Sequence, residues 1–121
     1  SNSSNWGNYN NTEKAITSVK AKQSTDNGMN WKSITGVKPA NSSTILSSGA
    51  SEETNKMNIY DLAGNEREWT LEKAPSSTEP CVYRGGGSSN KGSGYPVIGQ
   101  SNYNIVYDSD GIGFRVTMYA E

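Results

Sequence analysis

Asn58-Ile59-Tyr60-Asp61-Leu62-Ala63-Gly64-Asn65-Glu66-Arg67-Glu68-Trp69-Thr70-Leu71 is the most regular stretch of the chain. Ile59 opens a strand-like run that ends in the Gly64-Asn65 turn. Arg67–Leu71 then alternates Trp69 and Leu71 with Glu68 and Thr70, the period-two pattern of a half-buried strand. Outward from there, Ala74–Pro80 is a Pro/Ser loop and Cys81–Arg84 a second strand candidate. A third candidate is Gly113–Tyr119, where Phe114, Val116 and Met118 alternate with Arg115, Thr117 and Tyr119. Trp69, Tyr60 and Phe114 are read as core.

Between the last two strand candidates lies a segment of different character. Of the 26 residues from Gly87 to Ile112, 18 are Gly, Ser, Asn, Tyr or Asp. Tyr brings large amphipathic contact area at low entropy cost, while Ser, Gly and Asn bring adaptable hydrogen bonding. Almost nothing in it titrates near neutral pH, so it points to binding before chemistry. The candidate contact residues are Ser89, Asn90, Tyr95, Asn102, Tyr103, Asn104, Tyr107, Asp108 and Asp110, with the three tyrosines as anchors.

The rest of the chain narrows the options. Its 121 residues suit one domain with a modest core. Leu, Ile, Val and Phe together make only 17 of them, but seven Tyr and three Trp add apolar area and the net charge is −1. A folded, loop-rich domain with a small aromatic core is expected. The charge balance, without Lys/Arg stripes, argues against nucleic acid, and no apolar run reaches membrane-spanning length. With no His and a single Cys, Cys81, the chain lacks Ser-His and Cys-His nucleophiles, an intrachain disulfide and ordinary zinc chemistry. In the first half, Thr12–Lys22 fits a short helix or an irregular strand, and Asp26-Asn27-Gly28 reads as a turn. Trp31 and Ile34 are expected to dock on the core, and Lys38–Glu53 to form a long exposed Ser-rich loop.

Three ordered blocks carry a resemblance: Asn58–Thr70, then Val82-Tyr83-Arg84-Gly85-Gly86, then Gly113-Phe114-Arg115. They resemble the N-x-Y-D-(M/L)-A-G-N-x-x-E-W-T … R-G-G … G-F-R signature of the formylglycine-generating-enzyme/sulfatase-modifying-factor superfamily. In the first half only Trp6-Gly7-Asn8-Tyr9 is similar. The resemblance implies an α+β, C-type lectin-like fold: a small twisted antiparallel sheet, one or two helices and much ordered loop. It implies a single domain over 1–121, the C-terminal part of a larger chain or one completed by another chain or in an oligomer. The enzymatic members use copper-binding cysteines between R-G-G and G-F-R, or an iron-binding His set. This sequence has neither, so a non-enzymatic member is expected; a formylglycine-generating-type enzyme is the rival expectation, and a structural domain of a phage or surface assembly a third.

The branch it resembles best is the variable proteins of diversity-generating retroelements. There the stretch between R-G-G and G-F-R, here within 84–115, is rewritten by adenine-specific mutagenesis of Asn-rich codons. Adding three Ile and two Val, 23 of the 26 residues from Gly87 to Ile112 lie within the set such codons reach. That implies a protein or glycan ligand, and a place on a phage virion or a bacterial surface. Arg84 and Arg115 would bridge loop carbonyls or carboxylates such as Glu68, and Gly85, Gly86 and Gly113 would allow close backbone approach. No cofactor is implied except a structural calcium, held by the carboxylates of Asp61 and Glu68 and the carbonyls of Gly64 and Glu66. The alternative is that Glu68 pairs with a clamp arginine and Asp61 caps the turn.

Overall fold

The computed structural model describes residues 2–116; the part of the third strand candidate beyond Val116 lies outside them. Among the described residues the chain forms eleven short strands in four small sheets, with one 3₁₀ turn at Glu52–Thr54 and no α-helix. The fold is therefore β-rich, and the expected helices are absent from this part of the chain. Thr12–Lys22 instead gives β1 (Lys14–Ala15) and the start of β2 (Lys22–Ser24). Its three apolar positions do not form a helical stripe: Ile16 packs on the core while Val19 is exposed.

The largest sheet has the order β10-β9-β8-β11. In it, β8 (Arg67–Lys73) and β9 (Cys81–Arg84) pair antiparallel, with Glu68 opposite Arg84 and Trp69 opposite Tyr83. The Ala74 N–H donates to the Pro80 carbonyl and closes the connection between them. Strand β10 (Gln100–Tyr103) lies antiparallel on the outer side of β9, with Tyr103 opposite Cys81. Strand β11 (Ile112–Phe114) joins the far edge and runs parallel to β8, with Phe114 opposite Trp69. The sheet is thus mixed rather than purely antiparallel.

That topology obliges residues 104–111 to cross the sheet. Strands β10 and β11 are parallel and three spacings apart, roughly 14 Å. Eight residues reach about 26 Å when extended, so the short crossover suffices without a helix. It runs over the face bearing Trp69 and Tyr83. There the Tyr103 ring stacks on Tyr83 at 5.5 Å, Tyr107 stacks on Tyr103 at 3.7 Å, and Trp69 meets Tyr83 edge-on at 5.8 Å.

The smaller sheets pair β1 with β4 (Val37–Lys38), and β2 with both β3 (Lys32–Ser33) and β5 (Ile45–Leu46). A hairpin joins β6 (Asn55–Lys56) to β7 (Ile59–Tyr60). Met57 and Asn58 both have positive φ in its two-residue turn, as the twist of a tight hairpin requires.

Burial corrects several expectations. Within Lys38–Glu53 the run Thr44–Leu46 is buried, as are Ala50 and Ser51, so this is not an exposed loop. In a chain so poor in aliphatics, the adjacent Ile45-Leu46 pair is needed inside, where Leu46 packs with Ala21 and Ala50 against Ile16 and Ile34. Trp31, by contrast, is 44% exposed. Trp69 is half-buried, while Leu71 on the same strand is fully exposed and Phe114 is 78% exposed. Phe114 sits on an edge strand, and the alternation that suggested burial marks a face that the crossover covers only in part.

A polar interlock holds the halves together. The Asn65 side chain accepts from the Leu46 N–H at 2.8 Å and from the Asn8 amide at 2.9 Å, and it donates to the Leu46 carbonyl at 2.7 Å. A Cβ on Gly7 would lie 1.4 Å from the Ala63 carbonyl oxygen, so Gly7 alone lets the N-terminal segment seat against Ala63–Asn65. Tyr9 is fully buried beside Gly64 and Gly86. Lys38, also fully buried, donates to the Tyr9 and Thr12 carbonyls at 2.7 and 3.0 Å.

Candidate functional site

The segment between the two arginines is tied at both ends. Arg84 donates twice to Glu72 at 2.6 Å, and also to the Ile98 carbonyl at 2.7 Å and to Gln100. Arg115 grips both Glu68 oxygens and donates to the Tyr60 and Asp61 carbonyls at 3.1 and 3.0 Å. Forked, charge-assisted bonds of this kind fix geometry as well as attract. Gly86 matters for closeness: a Cβ there would lie 2.7 Å from Tyr95 Cβ and 3.0 Å from the Tyr9 ring.

The nine candidate contact residues divide into two groups. Ser89, Tyr95, Asn104, Tyr107, Asp108 and Asp110 are exposed. The other three are half-buried and structurally engaged. Asn90 accepts from the Gly87 N–H at 2.8 Å and from Arg67, while its carbonyl accepts from Asn10. Asn102 donates to the Glu79 carbonyl at 3.0 Å. Tyr103 lies between the rings of Tyr83 and Tyr107, which leaves it as the support for Tyr107 rather than a free anchor, and the Tyr107 hydroxyl beside its own raises its phenol pKa. Even Tyr95 has one fixed end, since its carbonyl accepts from the Tyr9 hydroxyl at 2.6 Å. Asn104 caps its own turn by accepting from the Val106 N–H.

Two clefts draw on the crossing segment. One, of about 240 Å³, brings Ser88, Ser89, Ser109 and Asp110 next to Glu66 and Arg67. Burial, reinforced by Asp110, pushes the Glu66 carboxyl above its ordinary pKa against the pull of Arg67. The Arg67 Nε is buried there without a partner among the described residues. The other, of about 490 Å³, lies between Trp69 on β8 and Ile105 and Tyr107 on the crossover.

The four calcium candidates, Asp61, Gly64, Glu66 and Glu68, line a further cleft of about 240 Å³ together with Arg115. Their donor set is depleted, because both Glu68 oxygens are engaged by the guanidinium. Asp61 is buried, its carboxyl pushed upward by desolvation, and it accepts from the Gly49 N–H at 3.4 Å. Arg115 therefore supplies the positive charge at this loop. Among the described residues no three His, Cys, Asp or Glu side chains converge.

Compared with family models, curated proteins and solved structures, the chain finds no match. What the site can do rests on its own chemistry. That chemistry is a rigidly anchored, uncharged-to-acidic surface of Tyr, Ser and Asn with two clefts. Sequence reading missed the scaffold half of those clefts, Trp69, Lys73 and Pro80 in one and Asn65, Glu66 and Arg67 in the other. Period-two alternation at Trp69 is the available signal, and by itself it points to core before ligand contact.

Proposed function

We propose that this chain is a ligand-binding display domain of the C-type lectin-like, formylglycine-generating-enzyme type, similar to the variable proteins of diversity-generating retroelements. Its 84–115 segment is the varied region, and its ligand is a protein or glycan on a target surface met from a phage virion or bacterial exterior. One observation carries the reading. Arg84 and Arg115 hold the two ends of the segment to scaffold carboxylates and carbonyls, while Ser89, Tyr95, Asn104, Tyr107, Asp108 and Asp110 between them are exposed. A surface built this way tolerates exchange at those six side chains, because its fixed points are backbone atoms, the clamp residues and the engaged side chains of Asn90, Asn102 and Tyr103.

The test is the DNA around the coding sequence. The reading expects an adenine-rich near-repeat of the 84–115 coding segment beside a reverse-transcriptase gene, with mismatches confined to template adenines. Absence of such a repeat removes the retroelement part. A structural calcium at Asp61, with backbone carbonyls, belongs to the same proposal and is tested below.

A further inference from the structure

The groove between Trp69 and Tyr107 has one wall from the sheet and one from the crossover. Trp69, Pro80 and Cys81 form the fixed wall, and Ile105 and Tyr107 the other. Its volume of about 490 Å³ falls in the range of sites that take a single side chain or small ligand. The polar groups at its rim are unevenly available. Both Glu72 oxygens accept from Arg84, and one of them also accepts from the Thr70 hydroxyl. The Asn104 side-chain amide oxygen is taken by the Val106 N–H, and its backbone carbonyl by the Tyr107 N–H. Lys73 makes no ion pair among the described residues, and the Asn104 amide nitrogen is likewise free there. The groove thus offers apolar surface and hydrogen-bond donors, and its carboxylate and side-chain amide acceptors are already engaged. A sugar ring, whose hydroxyls need acceptors as well as donors, is poorly served. A carboxylate beside an apolar group is well served.

We propose that this groove is the anchor subsite for a protein ligand, receiving one aromatic or large apolar side chain with an acidic residue next to it at Lys73. The inference rests on the display reading and narrows its ligand to protein. It also makes the site a hybrid, in which Trp69 and Lys73 give a constant contact while residues 104–107 vary the opposite wall. Aromatic pockets ringed by polar contacts are where protein interfaces concentrate their affinity.

Cys81, the only cysteine of the chain, lines the groove and reports its occupancy. Alkylation of the full chain by iodoacetamide is followed with increasing acetyl-Phe-Asp-amide, acetyl-Phe-Lys-amide or methyl glucuronide, alongside the Trp69 indole N–H signal by NMR. The expected result is that acetyl-Phe-Asp-amide slows alkylation and shifts the indole signal. Acetyl-Phe-Lys-amide should need about fivefold higher concentration, the size of one exposed charge pair, and Lys73→Ala should erase that difference. The inference is overturned if no peptide moves either readout, if the glucuronide acts at lower concentration than the peptides, or if Lys73→Ala leaves the difference intact. A template repeat found without peptide binding overturns this inference alone. Peptide binding without a template overturns only the retroelement origin.

Discussion

Asn65 does at one position what a larger core would do over many. Its amide joins β5 to the N-terminal segment through bonds to Leu46 and Asn8, at a positive φ of 64°. Asn65→Ala strands the Leu46 N–H and carbonyl and also strains the backbone, so a loss of about 3 kcal/mol in urea unfolding is expected. Phe114→Ala, at a side chain 78% exposed, should cost under about 1 kcal/mol. A loss near the 3–5 kcal/mol of a buried Phe would mean that Phe114 is covered. Sequence showed that Gly64-Asn65 turns, because turn chemistry is local. It did not show that the Asn65 side chain bridges 19 residues back and 57 residues back, since such partners leave no periodic trace. For the same reason the resemblance marks Trp6–Tyr9 without showing that Gly7 and Tyr9 seat against Ala63, Gly64 and Gly86.

At the scale of elements, β8 was legible because it alternates and β9 because it is a short apolar run after a Pro/Ser loop, whereas the crossover was not. Nothing in a Gly/Ser/Asn-rich run states that it spans two parallel edges of one sheet. The Tyr83–Tyr103–Tyr107 stack beneath that crossover separates support from display. Tyr103→Ala should lower the melting temperature by about 5 °C or more. Tyr107→Ala, on the outer end of the stack, should leave it nearly unchanged while weakening ligand binding. Equal melting losses would place both tyrosines in the support. The clamp at β11 is tested by Arg115→Lys, which keeps the charge but loses the fork to Glu68, Tyr60 and Asp61. A cost of about 1 kcal/mol is expected for this partly exposed pair, with faster amide exchange at Ile112–Phe114. If Arg115 stands in for calcium charge, adding millimolar calcium should raise the melting temperature of the neutral variant Arg115→Gln more than that of the parent chain. An equal rise in both would mean that calcium binds beside the guanidinium, and Asp61→Asn should then abolish it.

The whole molecule compensates for scarce aliphatic side chains with buried polar posts, and that gives its stability an alkaline signature. Burial lowers the Lys38 pKa from 10.5 to about 8, with Lys14 adding in the same direction. Between pH 8 and 10.5 the unfolded chain therefore holds a proton at Lys38 that the folded chain has released, and stability rises with pH across that window. Tyr9 acts with the opposite sign. Burial raises its pKa from 10.0 to about 12, so between those values the folded chain keeps a proton the unfolded chain has lost, and stability falls as pH rises. Urea unfolding at intervals from pH 7 to 11.5 should show a rise beginning near pH 8, a maximum near pH 10 and a decline beyond it. Lys38 and Tyr9 each contribute at most about 1.4 kcal/mol per pH unit to the slope, the value for one proton. Lys38→Met should flatten the rise while keeping the decline, at the cost of leaving the Tyr9 and Thr12 carbonyls without their shared donor. Tyr9→Phe should keep the rise and make the decline shallower, the raised phenols of Tyr60 and Tyr103 supplying the rest of it. A parent chain whose stability falls steadily from pH 8 would show that Lys38 is stabilised in its charged form, and that its two carbonyl partners outweigh the loss of water around it.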